Sequence, residues 1–308
     1  MNEPTLRIGM IGLDTSHAIA FAELLHDGQH AYHVPGGRIT AAYPGGSSDF
    51  ELSYSRVGGF TDRLRDQYDV DIADSPEAVA EACDAILLTS VDGRVHPEQF
   101  RRIAGFRKPV FVDKPLAVTS ADAEAILSLA RQYGTPVMSC SALRFAEGLS
   151  EALRDEAAGR IIGMDSYGPM AQQPTQPGLF WYGVHLADML FRSLGPDCVQ
   201  VSAVSNDAHD LIVGEWANGA IGTMRGNRMG NDRFGVMLHR ENDTRSVDVY
   251  AHPKPYYASM LEQIMGMFRT GVPAVALEET VRIMRFLEAA NESRATGRAI
   301  RVKAHIAE

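Results

Sequence analysis

The sequence is poor in cysteine and has no long hydrophobic run. Its three cysteines, Cys83, Cys140 and Cys198, show neither C-x-x-C spacing nor the Cys/His spacing of a zinc site. No stretch approaches the roughly 18 consecutive apolar residues of a transmembrane helix, and the N-terminus lacks the charged and apolar regions of a signal peptide. We therefore expect buried free thiols, no membrane span and a cytoplasmic location.

Basic residues are also outnumbered. The chain has 29 Lys and Arg against 39 Asp and Glu, which gives a formal net charge of −10. An acidic field repels phosphate backbones and anionic lipid headgroups, so nucleic acid and membrane surfaces are excluded as expected partners. The 308 residues are 45% hydrophobic, which is typical of a globular protein, and domains of roughly 100–200 residues predict two of them.

The apolar pattern differs between the two halves of the chain. In the first half, short apolar runs alternate with helix-period segments, as in βαβ units around a parallel sheet. After residue 145, strand-like stretches follow one another with Gly, Asn or Asp turns, which indicates antiparallel pairing. We predict an α/β protein with a parallel-sheet domain at residues 1–142 and an α+β domain with a mostly antiparallel open sheet at residues 143–308.

The first strand-to-helix turn resembles a phosphate-binding turn but departs from its fingerprint. The turn reads GMIGLDTSH, so Gly12 can form the tight turn while Asp14 replaces the second glycine of G-x-G-x-x-G. Thr15 and Ser16 can supply hydroxyl groups to a phosphate. Two interpretations stay open for this turn alone: a pyrophosphate site, or an N-capped turn that holds no ligand.

The second strand ends without the acidic residue that usually binds a cofactor ribose. The sequence there is AYPGGSSD. Ser47 and Ser48 can either bind a 2′-phosphate or form a turn, and Asp49 can reach the ribose. The choice between NAD and NADP is therefore left open.

Two groups are candidates for acid–base chemistry. Lys114 directly follows a buried strand in VFVDKPL, at the edge where ligands bind, and desolvation there lowers a lysine pKa. His185 and Asp188 lie three residues apart at the start of an apolar helix, where an imidazole is biased towards its neutral form. The alternatives are a lysine in solvent and a structural histidine.

A possible metal site is the H-x3-H-x2-H pattern of His26, His30 and His33. It lies in a polar helix exit without a carboxylate that could orient the imidazoles. We therefore predict that the protein holds no metal there.

Several motifs together resemble one enzyme family. They are TSVDGRVH at Thr89–His96, VDKPL, SALRF at Ser141–Phe145, WYGVHLADML and the closing stretch Tyr257–Val302. In this order they are similar to the glucose-fructose oxidoreductase and inositol dehydrogenase family, Gfo/Idh/MocA. The similarity covers essentially the whole chain, and DKP followed by a histidine-bearing helix is its specific part.

The resemblance implies a fold, an activity and site residues. It implies a Rossmann domain that binds NAD or NADP, oxidoreduction of a sugar, polyol or related compound, and a homodimer or homotetramer formed through the C-terminal sheet. Lys114 would polarise the substrate oxygen and His185 would be the general acid/base. The cofactor-binding set would be Gly9, Gly12, Asp14, Thr15, Ser16, Ser47, Ser48, Thr89, Ser90, His96, Asp113 and Lys114. The substrate-side set would be Arg144, Trp181, Tyr182 and Asp188.

Two positions depart from the family pattern. Trp181 stands where the family has an aspartate four residues before the histidine, and Asp14 stands in the phosphate turn. An indole can neither accept a proton nor orient an alcohol as a carboxylate does. Two further interpretations therefore stay open beside a dehydrogenase: a redox-neutral enzyme with tightly bound NAD, and a non-catalytic protein that senses a sugar or nucleotide.

Overall fold

The computed structural model describes residues 4–303, which form two compact units. The first unit comprises the described residues up to Ala117, together with Ala121–Cys140 and Tyr257–Leu277. The second comprises Val118–Ser120, Ser141–Tyr256 and the described residues from Glu278 onward. The predicted ranges 1–142 and 143–308 stay a prediction, and their ends at residues 1–3 and 304–308 lie outside the described residues.

Ten α-helices occur in the described residues. In chain order they are α1 (Ser16–His26), α2 (Glu51–Tyr54), α3 (Val57–Tyr68), α4 (Pro76–Ala82), α5 (His96–Ile103), α6 (Ser120–Tyr133), α7 (Glu147–Arg154), α8 (Gly183–Leu194), α9 (Tyr256–Thr270) and α10 (Leu277–Thr296). All but the first residue of α9 belong to the first unit, although α9 follows the last long strand of the second. Of these described helices, none combines the length and apolar character that a membrane span requires.

The first unit contains a six-stranded parallel sheet. Its strands are β1 (Leu6–Ile11), β2 (Gly37–Tyr43), β3 (Asp71–Ile72), β4 (Ala85–Leu88), β5 (Val110–Val112) and β6 (Val137–Met138). The order is β3-β2-β1-β4-β5-β6, so the direction of winding reverses between β1 and β4. Every residue of β4 and β5 is buried because helices cover both faces. Ligands of such sheets bind at the carboxyl ends of the strands near this reversal.

The second unit contains a seven-stranded, mostly antiparallel sheet. Its strands are β7 (Ile161–Pro169), β8 (Cys198–Ser205), β9 (His209–Trp216), β10 (Ile221–Asn227), β11 (Gly235–Arg240), β12 (Thr244–Asp248) and β13 (Ile300–Arg301). Their order is β12-β11-β7-β10-β9-β8-β13, and β7 and β10 form the parallel pair. The predicted α/β class with a second, mostly antiparallel sheet is confirmed.

The two faces of this second sheet differ in burial. Met164, Ile212 and Met224 are fully buried on one face, and α8 packs against β7 and β10. On the other face, Val204 is 73% exposed and Ile221 is 54% exposed. A turn with the sequence NGA at residues 218–220 joins β9 to β10, where Gly219 has a φ of +86°.

Gly12 holds the first turn of the nucleotide-binding edge in place. Its φ is +88°, and a Cβ at this position would lie 2.4 Å from the backbone nitrogen of Ser90. Both the conformation and the close approach of two loops therefore require glycine. Any larger residue must push the loop after β4 away from the loop after β1.

We expect Gly12→Ala to lower the free energy of unfolding by about 3 kcal/mol, of which about 1 kcal/mol is left-handed strain and the rest overpacking. Gly134→Ala is the matched control, because Gly134 has a φ of +66° but no atom within 4 Å of its Cβ position. Urea denaturation of both variants measures the difference. Equal losses would show that the contact with Ser90 is unimportant.

Candidate active site

The phosphate turn begins where β1 ends and closes at the N-terminus of α1. Thr15 is the N-cap, and its hydroxyl oxygen accepts a hydrogen bond from the N–H of His17. The first N–H groups of a helix have no intrahelical acceptor and carry the positive end of its dipole. This backbone arrangement suits a pyrophosphate.

Asp14 is directed into the protein rather than towards a phosphate. Its Oδ1 accepts the N–H of Val91 at 2.8 Å, and its Oδ2 accepts the hydroxyl of Ser53 at 2.6 Å. Burial raises the pKa of this carboxyl group, while both hydrogen bonds oppose the rise. Because protein donors hold the carboxylate, the turn fits a dinucleotide pyrophosphate despite the missing second glycine.

Thr89 and Ser90, which were predicted to bind the cofactor, are fully buried. The Thr89 hydroxyl donates to the carbonyl of Gly12 at 2.7 Å, and the Ser90 hydroxyl donates to Oε1 of Gln99 at 2.8 Å. Gly9 lies opposite α4, where a Cβ would come within 2.4 Å of the Val79 side chain. These predicted residues shape the turn, and direct contact with a cofactor stays a prediction.

His96 is also fully buried. Its Nδ1 lies 2.9 Å from the carbonyl oxygen of Pro115, and its Nε2 lies 2.8 Å from that of Ser90. Both ring nitrogens therefore face backbone of the neighbouring loops. His96 ties the loop after β4 to the loop after β5, so its influence on a cofactor would be indirect.

The residues after β2 form a hydrogen-bonded loop. The Ser47 hydroxyl donates to Asp92 at 2.7 Å, whereas Ser48 is exposed. Asp49 forms a two-bond ion pair with Arg94, at 2.7 and 2.9 Å, and Arg94 also binds Asp92. Two carboxylates thus neutralise the nearby cation, and the preference between NAD and NADP stays open.

Lys114 and Asp113 lie directly after β5. Asp113 Oδ1 accepts the N–H of Lys114 at 2.9 Å, and its Oδ2 lies 2.5 Å from Nδ1 of His17. Burial alone would raise the pKa of Asp113, but the charge and hydrogen bond of His17 and the charge of Lys114 hold it below its usual value. Burial lowers the pKa of Lys114, Asp113 opposes this effect, and Arg56 adds to it.

His17 and Tyr257 were not identified as site residues from the sequence. The Tyr257 hydroxyl lies 2.8 Å from Nε2 of His17, so the two residues extend a chain that starts at Asp113. A signal for His17 was present, because it occupies the third glycine position of the fingerprint. Tyr257 is 240 positions away in sequence, and no local pattern marks it.

His185, in the first turn of α8, is held by a serine. Its Nδ1 lies 2.6 Å from the hydroxyl oxygen of Ser141, which also accepts the N–H of Leu143 at 3.2 Å. The N–H of Ser141 donates to Asp188. A hydroxyl can donate or accept, so Ser141 fits either tautomer of the imidazole.

Arg144 and Asp188 form a buried ion pair. Their side chains are 8% and 2% exposed, Nη1 of Arg144 lies 2.5 Å from Asp188 Oδ1, and the same guanidinium binds Glu279. Burial raises the pKa of Asp188, and Arg144 opposes the rise. Their charges face each other, and Asp188 also binds the segment that carries Ser141; direct substrate contact by Arg144 and Asp188 stays a prediction.

Aromatic rings surround His185 within the second unit. The rings of Tyr182 and Phe234 lie nearly parallel, at 10° and 6.4 Å, and each packs edge-on against the imidazole. Trp181 is buried and touches Tyr182 at a centroid distance of 6.0 Å. Phe234 was missed in the sequence because it lies in an irregular loop before β11.

The three histidines considered as metal ligands have separate partners. His26 Nε2 accepts the N–H of Ile39, and His33 Nδ1 lies 3.0 Å from the carbonyl oxygen of Leu24. His30 Nδ1 accepts the N–H of Tyr32. Within residues 4–303, no group of three or more His, Cys, Asp or Glu side chains has a geometry that could hold a metal ion.

We expect Asp188→Asn to lower the free energy of unfolding by about 3 kcal/mol, because it removes the charge that compensates the buried Arg144. Glu279→Gln is the matched control on the same guanidinium, and its partly exposed side chain should cost about 1 kcal/mol or less. Urea denaturation at neutral pH measures both. A larger loss for Glu279→Gln would contradict the assignment of Asp188 as the main counter-charge.

Comparison with known proteins agrees with this geometry. Residues 6–140 match the model of the GFO_IDH_MocA oxidoreductase family, described as an NAD-binding Rossmann fold. A curated relative, myo-inositol dehydrogenase Hyg17 of Streptomyces leeuwenhoekii, is 28% identical over 137 residues. That match covers 41% of this chain and 42% of the length of the relative.

Solved structures share the fold over nearly the whole chain. Myo-inositol 2-dehydrogenase from Lactobacillus plantarum superposes with a TM-score of 0.80 at 15% identity and covers 98% of this chain and 100% of its own. GenD2 from gentamicin A biosynthesis, solved in complex with NAD, gives a TM-score of 0.78 at 16% identity over 98% and 97% of the two chains. At this identity the likeness shows the fold alone.

The resemblance noted in the sequence is thus confirmed, together with the class of cofactor domain. The turn at Gly12, the strand order and the position of Lys114 after β5 all lie in the matched segment. Residues 6–140 of the chain therefore match the NAD-binding Rossmann fold of the Gfo/Idh/MocA oxidoreductase family.

Proposed function

We propose that this protein is an NAD(P)-dependent oxidoreductase that acts on a hydroxyl or carbonyl group of a sugar, polyol or related compound. The observation that carries the proposal is Lys114, which directly follows a fully buried strand at the ligand-binding edge of a family-matched sheet. Its half-buried ammonium group has a lowered pKa. Such a lysine can donate a hydrogen bond or a proton to a substrate oxygen near neutral pH.

The cofactor would be held at the turn between β1 and α1. The N-terminus of α1, capped by Thr15, would receive the pyrophosphate, and the loop containing Thr89 and Ser90 would shape the adjacent wall. When bound, the nicotinamide supplies a two-electron acceptor that takes a hydride from the carbinol carbon as the C=O bond forms. We infer no preference between NAD and NADP.

We propose His185 as the group that exchanges the proton of a substrate hydroxyl group. In the oxidation direction its Nε2 takes the O–H proton, and the imidazolium then keeps its second proton on Nδ1, which donates to the Ser141 hydroxyl oxygen. In the reverse direction the same proton returns to the alkoxide oxygen. The proposed role of Lys114 is to stabilise negative charge that develops on a substrate oxygen.

The aromatic rings beside His185 support a carbohydrate-like substrate. Tyr182 and Phe234 are partly exposed and stacked, so they offer an apolar surface to the C–H face of a sugar or cyclitol ring. The relative Hyg17 is named as a myo-inositol dehydrogenase. We propose the same broad substrate class for this chain.

A second candidate is a non-catalytic sugar- or nucleotide-sensing protein. It is favoured by Trp181, which occupies the position of the family acid and is 7% exposed. In that case a ligand would bind and stabilise the fold without turnover. The activity assay below separates this candidate from the oxidoreductase.

We expect Lys114→Met to lower kcat/KM by roughly a thousandfold, because the oxygen loses its hydrogen-bond donor, and His185→Asn to lower it by roughly a hundredfold or more. The assay follows the nicotinamide absorbance with NAD and NADP separately against a panel of sugars and cyclitols. Lys108→Met, at the opposite end of the same β5 segment, is the matched control and should keep wild-type activity.

Full activity of Lys114→Met would contradict the proposed role of this residue. Binding of the cofactor by calorimetry without turnover on any substrate would favour the sensing protein. A nucleotide that co-purifies with the protein and is never released would favour a redox-neutral reaction.

We also propose that the open face of the second sheet is covered by another copy of the chain. Val204 and Ile221 are exposed there, and large bare apolar faces are rare on monomers. Sedimentation velocity should show a dimer or tetramer that Ile221→Glu shifts towards monomer. Val272→Glu, at an equally exposed position in the first unit, is the control, and a monomeric wild type would overturn the proposal.

The cytoplasmic location stays a proposal. It rests on the low cysteine content and on the state of Cys83, Cys140 and Cys198, which are buried free thiols. Fractionation of the native host would test it.

A further inference from the structure

A chain of three side chains in the first unit has no part in the mechanism described above. Asp113 Oδ2 lies 2.5 Å from His17 Nδ1, and His17 Nε2 lies 2.8 Å from the Tyr257 hydroxyl. The side chains of His17 and Asp113 are 10% and 3% exposed, whereas Tyr257 is partly exposed. The chain thus connects the ligand-binding edge of the sheet to the start of α9.

The hydrogen-bond pattern follows from the charge of Asp113. Its pKa lies below the usual value, so the carboxylate is ionised and can only accept; His17 must therefore carry its proton on Nδ1. On the other side of the ring, Nε2 of His17 lies against the Tyr257 hydroxyl, which can either donate or accept a hydrogen bond. Each polar atom along this chain finds a complementary partner, and both ring nitrogens are used.

We propose that His17 and Tyr257 are positioning residues for Lys114 and that they act through Asp113. The proposal rests on the function proposed above only in taking Lys114 as catalytic. The contacts that join Tyr257, His17, Asp113 and Lys114 do not depend on that function. Asp113 binds the N–H of Lys114 with one oxygen and His17 with the other, so both oxygens of the carboxylate are fixed next to the lysine.

The charges that face these groups explain how the effect would reach Lys114. Asp113 faces His17 and Lys114, and Lys114 faces Asp113 and Arg56. Without His17, burial would raise the pKa of Asp113, and a neutral carboxyl group would no longer balance Arg56. The ammonium of Lys114 would then lose its proton at lower pH.

A purely space-filling role for His17 makes a different prediction. The position belongs to the third glycine of the fingerprint, where a side chain is normally absent because helix and strand pack closely. If His17 only fills space, its polar contacts with Asp113 and Tyr257 are not needed. Its replacement would then change the free energy of unfolding without changing the titration of Lys114. The titration of Lys114 therefore distinguishes positioning from packing.

The experiment is a pH titration of lysine side chains by NMR on the whole protein without cofactor. The chain has four lysines, Lys108, Lys114, Lys254 and Lys303, so labelled lysine gives few signals, and Lys114→Met assigns the relevant one. We expect His17→Ala to lower the titration midpoint of Lys114 by about one pH unit. His17→Asn keeps an N–H donor near the position of Nδ1, so the titration midpoint of Lys114 in this variant should stay close to the wild-type value.

Two comparisons test the route through Asp113. Asp113→Asn alone should lower the Lys114 midpoint, and His17→Ala should have no further effect in that background. Tyr257→Phe should produce a smaller shift in the same direction and keeps the experiment decisive if His17→Ala does not fold. The signal of Lys108 is the internal control and should not move.

An unchanged Lys114 midpoint in folded His17→Ala, or in Tyr257→Phe if His17→Ala does not fold, would overturn the proposal. The proposal would also be overturned if His17→Ala shifted the Lys114 midpoint equally in the wild-type protein and in the Asp113→Asn variant. Because the titration needs neither cofactor nor substrate, its failure is distinguishable from failure of the oxidoreductase assignment, which is judged by turnover.

Discussion

The buried carboxylate of Asp113 is the constraint on which the nucleotide-binding edge of the sheet depends. A carboxylate at 2% exposure needs a partner for each oxygen, or it becomes neutral and leaves the site without its charge. The backbone of Lys114 supplies one partner and His17 the other. The end of β5 and the first turn of α1 are therefore coupled by charge as well as by packing.

The carboxylate of Asp14, in the turn after β1, also needs a hydrogen-bond partner for each oxygen. It also is a buried carboxylate, and its partners come from the loop after β4 and from α2. The carboxylate of Asp14 thus binds protein donors and is not left to face an anion in the turn. The turn keeps the backbone that a pyrophosphate needs, while a side-chain network replaces part of the glycine fingerprint.

Much of the fold could be predicted from local patterns, whereas the direction of the site side chains could not. The continuous apolar run of β4 and the NG turn before β10 are local signals, and both gave correct elements. Thr89, Ser90 and His96 follow β4, but their side chains bond to Gly12, Gln99 and the backbone of Ser90, which no local pattern predicts. Sequence shows which loop a residue occupies and not which loop it faces. His17 has a signal of its own at the third glycine position, but its contact with Tyr257, 240 residues away, has none.

The second unit shows how a histidine can be held without the family carboxylate. With Trp181 at the acid position, the neutral hydroxyl of Ser141 contacts His185, and the N–H of the same serine donates to Asp188. A carboxylate can only accept a hydrogen bond from the imidazole, whereas a hydroxyl can donate or accept. Because the Ser141 hydroxyl can take either role, it can stay in contact with His185 in both tautomers of the imidazole.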